Sequence, residues 1–185
     1  MPTLACLLRG INVGGNKIVK MALWKQLYEE LGFTNVRTLL QSGNLLFDTA
    51  SDEPLESLQP RLETAFATRF GFTADHIIRD TTQVQAAIAG NPFPDAATNA
   101  PNHLLVFFLS RAPDTADAAK LAALDTGPDQ LHLSGDVLYM HFIDGAGKAA
   151  TDPVKLLRLA GVTGTSRNWT TLNKLAALMD NSIKA

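Results

Sequence analysis

The sequence predicts an α+β protein made of two tandem ferredoxin-like (split βαβ) units, the second ending in helices. Three observations lead there. Short apolar runs bounded by turn residues alternate with segments of helical periodicity in the order β-α-β-β-α-β up to about residue 81. A comparable order restarts at His103. Between them lies GNPFPDAATNAPN, whose Pro, Gly and Asn content is that of a connection. The expected organisation is therefore a first unit over 1–81, a connecting helix and loop over 82–102, and a second unit over 103–185 with a C-terminal helix.

Leu4 to Leu8 is a continuous apolar run ending at Arg9 and Gly10, which suits a strand covered on both faces. Leu23, Trp24, Leu27 and Leu31 then recur at helical spacing, and Gly32 followed by Phe33 supplies a stop and its hydrophobic contact. NVRTLLQSGNLLFDT reads as a hairpin, with strands Val36–Gln41 and Leu45–Asp48 around Ser42, Gly43 and Asn44. Leu58, Leu62, Phe66 and Phe70 mark the next helix. Pro60 fits it only in the first turn, with Ser57 as the cap. ADHIIRD is the fourth strand.

After a helix over Thr82–Ala89 and the connection, HLLVFFLS reads as a buried strand and Thr115–Leu124 as a helix. DQLHLSGDVLYMHF is a hairpin turning at Gly135 and Asp136. That turn sets His132 opposite Tyr139 and Gln130 opposite His141 on a polar face meeting solvent or the other unit. Leu131, Leu133, Leu138, Met140 and Phe142 form the core face. Asp152 caps a helix with Pro153 in its first position and Gly161 as its stop. RNWTTLNKLAALM is the last helix, with Trp169, Leu172, Leu175, Ala176 and Met179 on its buried side.

The string LLRGINVGGNKIVKMALWKQLYEELGFTNVRTLLQSGNLLF, together with NPFP at Asn91–Pro94 and SRNWTTLNKL near the end, resembles the bacterial domain-of-unknown-function 1697 family over nearly the whole chain. The resemblance implies tandem ferredoxin-like units and carries no established activity with it.

The glycine-rich loop after the first strand is the leading candidate site. Gly10 and Gly15 match the glycine spacing of a G-x-x-x-x-G-K-[ST] phosphate loop, but Asn16 intervenes before Lys17, and Ile18 stands where a hydroxyl should hold Mg²⁺. An ATPase is therefore not expected. The adjacent Gly14 and Gly15 also fail the G-x-G-x-x-G dinucleotide fingerprint, and no cofactor is assigned. Topology keeps the loop of interest, because the first two strands of such a unit run parallel, so the loop leaving one and the hairpin leaving the other emerge at the same end. Arg9, Gly10, Asn12, Gly14, Gly15, Asn16 and Lys17 should meet Gln41, Ser42, Gly43 and Asn44 there, offering polar side chains and close backbone approach to a small anionic or phosphorylated ligand. The same residues can equally serve as structural turns, their amides bonded to each other and Arg9 paired with a carboxylate. In TSRNWTT, Ser166 or Asn168 can cap the last helix, leaving Arg167 at a helix start that favours an anion. The alternative is an ordinary cap stapled by Trp169. If functional, Arg167, Asn168 and Trp169 are expected to face the first loop.

Other chemistries find little support. The formal net charge is -2, so there is no global field for nucleic acid or an anionic membrane. An RNA recognition motif would need aromatics on its first and third strands, and only Phe47 is present. His76, His103, His132 and His141 lack metal-ligand spacing, so no metal is expected. Cys6, the single cysteine, lies in an apolar run as a core thiol, and one cysteine forms no internal disulfide. The opening MPTLACLLRG lacks the pattern of a signal peptide and no apolar run reaches a membrane span, so a soluble cytoplasmic protein is expected. A non-catalytic protein-interaction module is the principal alternative to ligand binding, a weak RNA binder the lesser one, and whether the chain is an enzyme stays open.

Overall fold

The computed structural model describes residues 2–12, 15, 17–50, 53–149 and 151–180. By spatial clustering the chain forms two units, Met1–Val84 with Leu175–Ala185, and Gln85–Lys174. In the first unit the elements are β1 (Thr3–Leu8), α1 (Met21–Glu30), β2 (Thr34–Leu39), β3 (Asn44–Asp48), α2 (Leu55–Phe70) and β4 (His76–Asp80). Their antiparallel sheet has the order β2-β3-β1-β4, that of a ferredoxin-like split βαβ unit.

All six residues of β1 and all five of β3 are buried, the apolar runs Leu4–Leu8 and Leu45–Phe47 together with the polar Thr3, Asn44 and Asp48 at their ends. One face carries the aromatic heart of the unit. Tyr28 packs edge-on against Trp24 at 5.8 Å and Phe47 at 5.1 Å, and Phe33 meets Phe47 at 4.6 Å. Helix α1 ends as its sequence indicates, with Gly32 at φ +90° and Phe33 buried behind it. Helix α2 departs from expectation, since it starts at Leu55 behind Pro54 instead of at a Ser57 cap, so Pro60 lies inside it. Lacking an N–H, Pro60 leaves the Glu56 carbonyl without its helical donor, on an exposed face where water can supply one.

Helices α3 (Thr81–Ala89) and α4 (Pro94–Asn99) follow; the latter lies within the segment read as loop. The second unit holds β5 (Leu104–Leu109), α5 (Thr115–Ala122), β6 (Gln130–Ser134), β7 (Val137–His141), α6 (Pro153–Leu159) and β8 (Gly164–Asn168), and its sheet order β6-β7-β5-β8 repeats the first. The second unit continues into α7 (Trp169–Asp180), so it ends in helix as expected. The hairpin register pairs His132 with Tyr139 and Gln130 with His141. Its polar face is not open at Tyr139, which is 2% exposed and donates from its hydroxyl to the Ala87 carbonyl at 2.7 Å. Asp152 caps α6, accepting from Val154 N at 2.9 Å.

The strand β8 is the main element the sequence pattern does not disclose. It places Arg167 within a strand, 6% exposed, and not at a helix start. Asn168 is the cap of α7, its Oδ1 accepting from Thr171 N at 2.8 Å. Trp169 is only half-buried, while Leu172, Leu175, Ala176 and Met179 form the buried stripe. No helix among the described residues is long and apolar enough to cross a membrane.

Candidate anion-binding rim

Strand β3 pairs antiparallel with both β1 and β2, so β1 and β2 run parallel and their C-terminal ends share one rim of the sheet. The glycine loop and the hairpin turn do meet there. Leu8 N donates to the Gly43 carbonyl at 2.9 Å and Asn12 Nδ2 to the Gln41 carbonyl at 2.9 Å. A third segment joins them, because β4 is antiparallel to β1 and the connection before it, Gly71–Asp75, arrives at the same end. Arg9 N donates to the Asp75 carbonyl at 3.1 Å, Arg9 Nη1 contacts Asp75 Oδ2 at 3.1 Å, and Lys17 Nζ donates to the Thr73 carbonyl at 2.9 Å.

Much of the polar inventory is turned inward. Asn12 adopts φ +55°, and its side chain clasps Val19 through both N–H and C=O while also holding Gln41. Asn44 is fully buried and donates to the Leu39 carbonyl at 2.8 Å and Ser42 Oγ at 3.0 Å, closing the turn. These two asparagines act as scaffold, which is how short amide side chains mostly serve in turns. Gly43 carries φ +78° in a crowded spot, whereas Gly10 at +66° and Gly15 at +77° are exposed with open space where a side chain would stand. Gln41, Ser42 and Lys17 are exposed and Arg9 is partly so. Gly14 and Asn16 lie outside the described residues.

A family model described as "Protein of unknown function (DUF1697)" matches residues 1–139, three quarters of the chain and the whole of this rim. The chain belongs to the DUF1697 family. A solved structure described as the conserved bacterial protein SP0830 from Streptococcus pneumoniae is similar to it at 24% identity, covering 96% of this chain and 98% of that one with a TM-score of 0.74. At that identity the likeness speaks for the fold. A comparison with curated proteins finds no match.

In this DUF1697 chain, sequence reasoning missed Thr73, Asp75 and His76 as members of the rim, since nothing local in FTADH announces contact with residues some sixty positions earlier. His76 heads β4 opposite Leu8 and is fully buried. Its Nδ1 lies 2.9 Å from the Ala74 carbonyl and must donate to it, which leaves Nε2 a bare acceptor with no partner among the described residues, and the imidazole meets the Phe66 ring with centroids 5.2 Å apart. Burial pushes its protonation below the ordinary histidine range, against smaller opposing pulls from the Ala74 carbonyl, Glu63 and Asp75. A histidine whose native pKa is depressed weakens the fold on acidification. Above about pH 6.5 both states are neutral; below it the unfolded chain takes a proton that the native chain refuses, and stability falls by up to about 1.4 kcal/mol per pH unit until the native pKa is reached. Urea midpoints measured from pH 7.5 to 5.5 should decline more steeply in the natural protein than in His76→Leu. Equal slopes would exclude this role.

The residues predicted from TSRNWTT belong to the second unit. Arg167 Nη1 donates to Thr165 Oγ1 at 2.8 Å and the Ser166 carbonyl at 2.7 Å, so that guanidinium nitrogen is bound to its own strand. Its counterpart in the first unit is Arg79, since Ala5 pairs with Arg79 as Val106 pairs with Arg167. Each arginine is followed by a capping residue and a helix, Asp80 accepting from Gln83 N at 2.7 Å as Asn168 does from Thr171 N. That repeated Arg-[Asp/Asn]-helix step was the available signal for β8.

Proposed function

We propose that the first unit binds a small anionic or phosphorylated ligand at the rim formed by Arg9–Lys17 and Gln41–Asn44. The observation that carries this is the convergence of two cations on one connection. Arg9 docks at Asp75 and Lys17 two residues earlier at Thr73, beside the exposed turns of Gly10 and Gly15. The Arg9–Asp75 pair is surface-exposed on both sides, 35% and 45%, so water screens it and it positions the guanidinium more than it consumes its charge. One Nη1 contact leaves the remaining guanidinium donors available for an oxyanion. The lone Cys6, buried in β1, fits a reducing, cytoplasmic setting. Binding alone is proposed, and no reaction is assigned.

Thermal-shift titration with inorganic phosphate, pyrophosphate and citrate at constant ionic strength tests the reading. At a hundredfold excess over Kd a ligand stabilises by about 2.7 kcal/mol, a rise of roughly 5–10 °C for a chain of this size. The rise should shrink clearly in Arg9→Ala while that variant remains folded. An undiminished rise in Arg9→Ala, or none in the natural protein, rejects this site.

A non-catalytic interaction module is the second reading, favoured by Ile18 and Leu40, which are 60% and 52% exposed. They directly precede Val19 and Gln41, whose carbonyls both accept from Asn12 Nδ2, so two exposed apolar residues belong to the same rim. The weak-RNA-binder reading is the least supported, since β1 and β3 are buried at every position and offer no open face on which bases could stack.

A further inference from the structure

The two units repeat two backbone hydrogen bonds at their rims. Leu8 N to the Gly43 carbonyl at 2.9 Å corresponds to Leu109 N to the Asp136 carbonyl at 2.9 Å, and Arg9 N to the Asp75 carbonyl at 3.1 Å to Ser110 N to the Thr163 carbonyl at 2.8 Å. The residue that supplies a carboxylate to the first rim is thus a threonine in the second. There the rim carries an open surface depression of about 450 Å³ lined by Ser110, Arg111, Arg158, Gly161 and Thr163 together with the apolar Leu157 and Val162. We propose that this depression is a second, independent site for a phosphate-like oxyanion, held by the Arg111 and Arg158 guanidinium groups with the Ser110 and Thr163 hydroxyls beside them.

Charge is what separates this rim from the first. Among the described residues Arg111 is anchored only by neutral oxygens, Nη2 on the Gly161 carbonyl at 3.0 Å and Nη1 on the Ala112 carbonyl at 3.2 Å, so it is positioned while keeping its full charge. Arg158 is exposed and has no carboxylate partner among the described residues. The nearest acids are engaged: Asp117, which stands beside Gly161, binds Lys120 at 2.6 Å, and Asp114 caps α5 by accepting from Asp117 N at 2.8 Å. Three of the terminal carbonyls of α6 do not need the arginines, since Ala160 N, Gly161 N and Val162 N already donate to Leu156, Arg158 and Leu157. Two arginines and two hydroxyl residues lining one depression supply the residue types that give oxyanions planar, multi-donor recognition.

The test is titration of the full chain with inorganic phosphate and pyrophosphate at constant ionic strength, followed by ¹H–¹⁵N spectra of the backbone amides of Ser110 and Val162–Thr163 and the Nε–Hε groups of Arg111 and Arg158. Saturable shifts are expected there, with affinity lowered on the order of tenfold or more in Arg158→Ala and unchanged in Arg9→Ala. Because Arg111 also ties down Gly161, Arg111→Lys is paired with Arg158→Ala, and it should weaken binding while keeping the fold. Shifts that never saturate, or an affinity untouched in Arg158→Ala, overturn the proposal. Saturable shifts confined to Gly10–Lys17 and lost in Arg9→Ala overturn it too, while upholding the first-unit site.

Discussion

Phe47→Ala is expected to destabilise the first unit by about 3–5 kcal/mol, the usual cost of removing a buried phenyl ring. Phe47 is fully buried in β3 and its ring is held by Tyr28 at 5.1 Å and Phe33 at 4.6 Å. Those two partners come from α1 and from the turn that follows it, so neither can move inward without dragging its backbone. The cavity would therefore persist, and the edge-on aromatic contacts would be lost in addition to the buried area. A fall of roughly 10 °C in the melting temperature, with a matching drop in the urea midpoint, is the expected readout. A loss below about 1 kcal/mol would show that the cluster collapses around the gap and is not a rigid keystone.

Gly43→Ala should cost about 2–4 kcal/mol, and the loss should be larger than at other glycines of the same rim. Two penalties combine. The residue sits at φ +78°, where a side chain is strained, and a β-carbon there would lie 3.0 Å from both Ile11 Cδ1 and Leu8 Cβ. Leu8 is a buried strand residue whose N–H bonds the Gly43 carbonyl, so the crowding falls on the contact that seats the hairpin turn against β1. Gly15→Ala is the matched control, with nearly the same φ of +77° and nothing within 4 Å of the added carbon. It should lose only the backbone term, about 1 kcal/mol. Equal losses in the two variants, measured by denaturant unfolding, would mean that packing beneath Gly43 yields freely.

Legibility in the sequence followed the range of the forces involved. The hairpin of the second unit was readable to the exact pair, His132 with Tyr139, because Gly135 and Asp136 set a local turn and the strand period does the rest. The start of α2 was not, since Ser57 and Pro54 are both acceptable at a helix entrance and only the burial of Leu58, Leu62 and Phe66 decides the phase. Strand β8 escaped because GTSRN has no apolar run; its extended form comes from pairing with Leu105–Leu109 of β5, more than fifty residues earlier. Tyr139 was placed on the correct face, but its burial depended on Ala87, which no pattern within the hairpin specifies.

The sequence by itself determined the element order of the first unit, the family and the meeting of the glycine loop with the Gln41–Asn44 turn, because periodicity, turn chemistry and the handedness of βαβ crossovers act locally or through topology. Only the tertiary structure decided which polar groups are spent. It turned Asn12 and Asn44 into clasps, set Asp75 beside Arg9 and left Arg111 and Arg158 without a carboxylate partner among the described residues. A hydrogen bond or ion pair forms between groups that are near in space, and for these the nearest partners are remote along the chain.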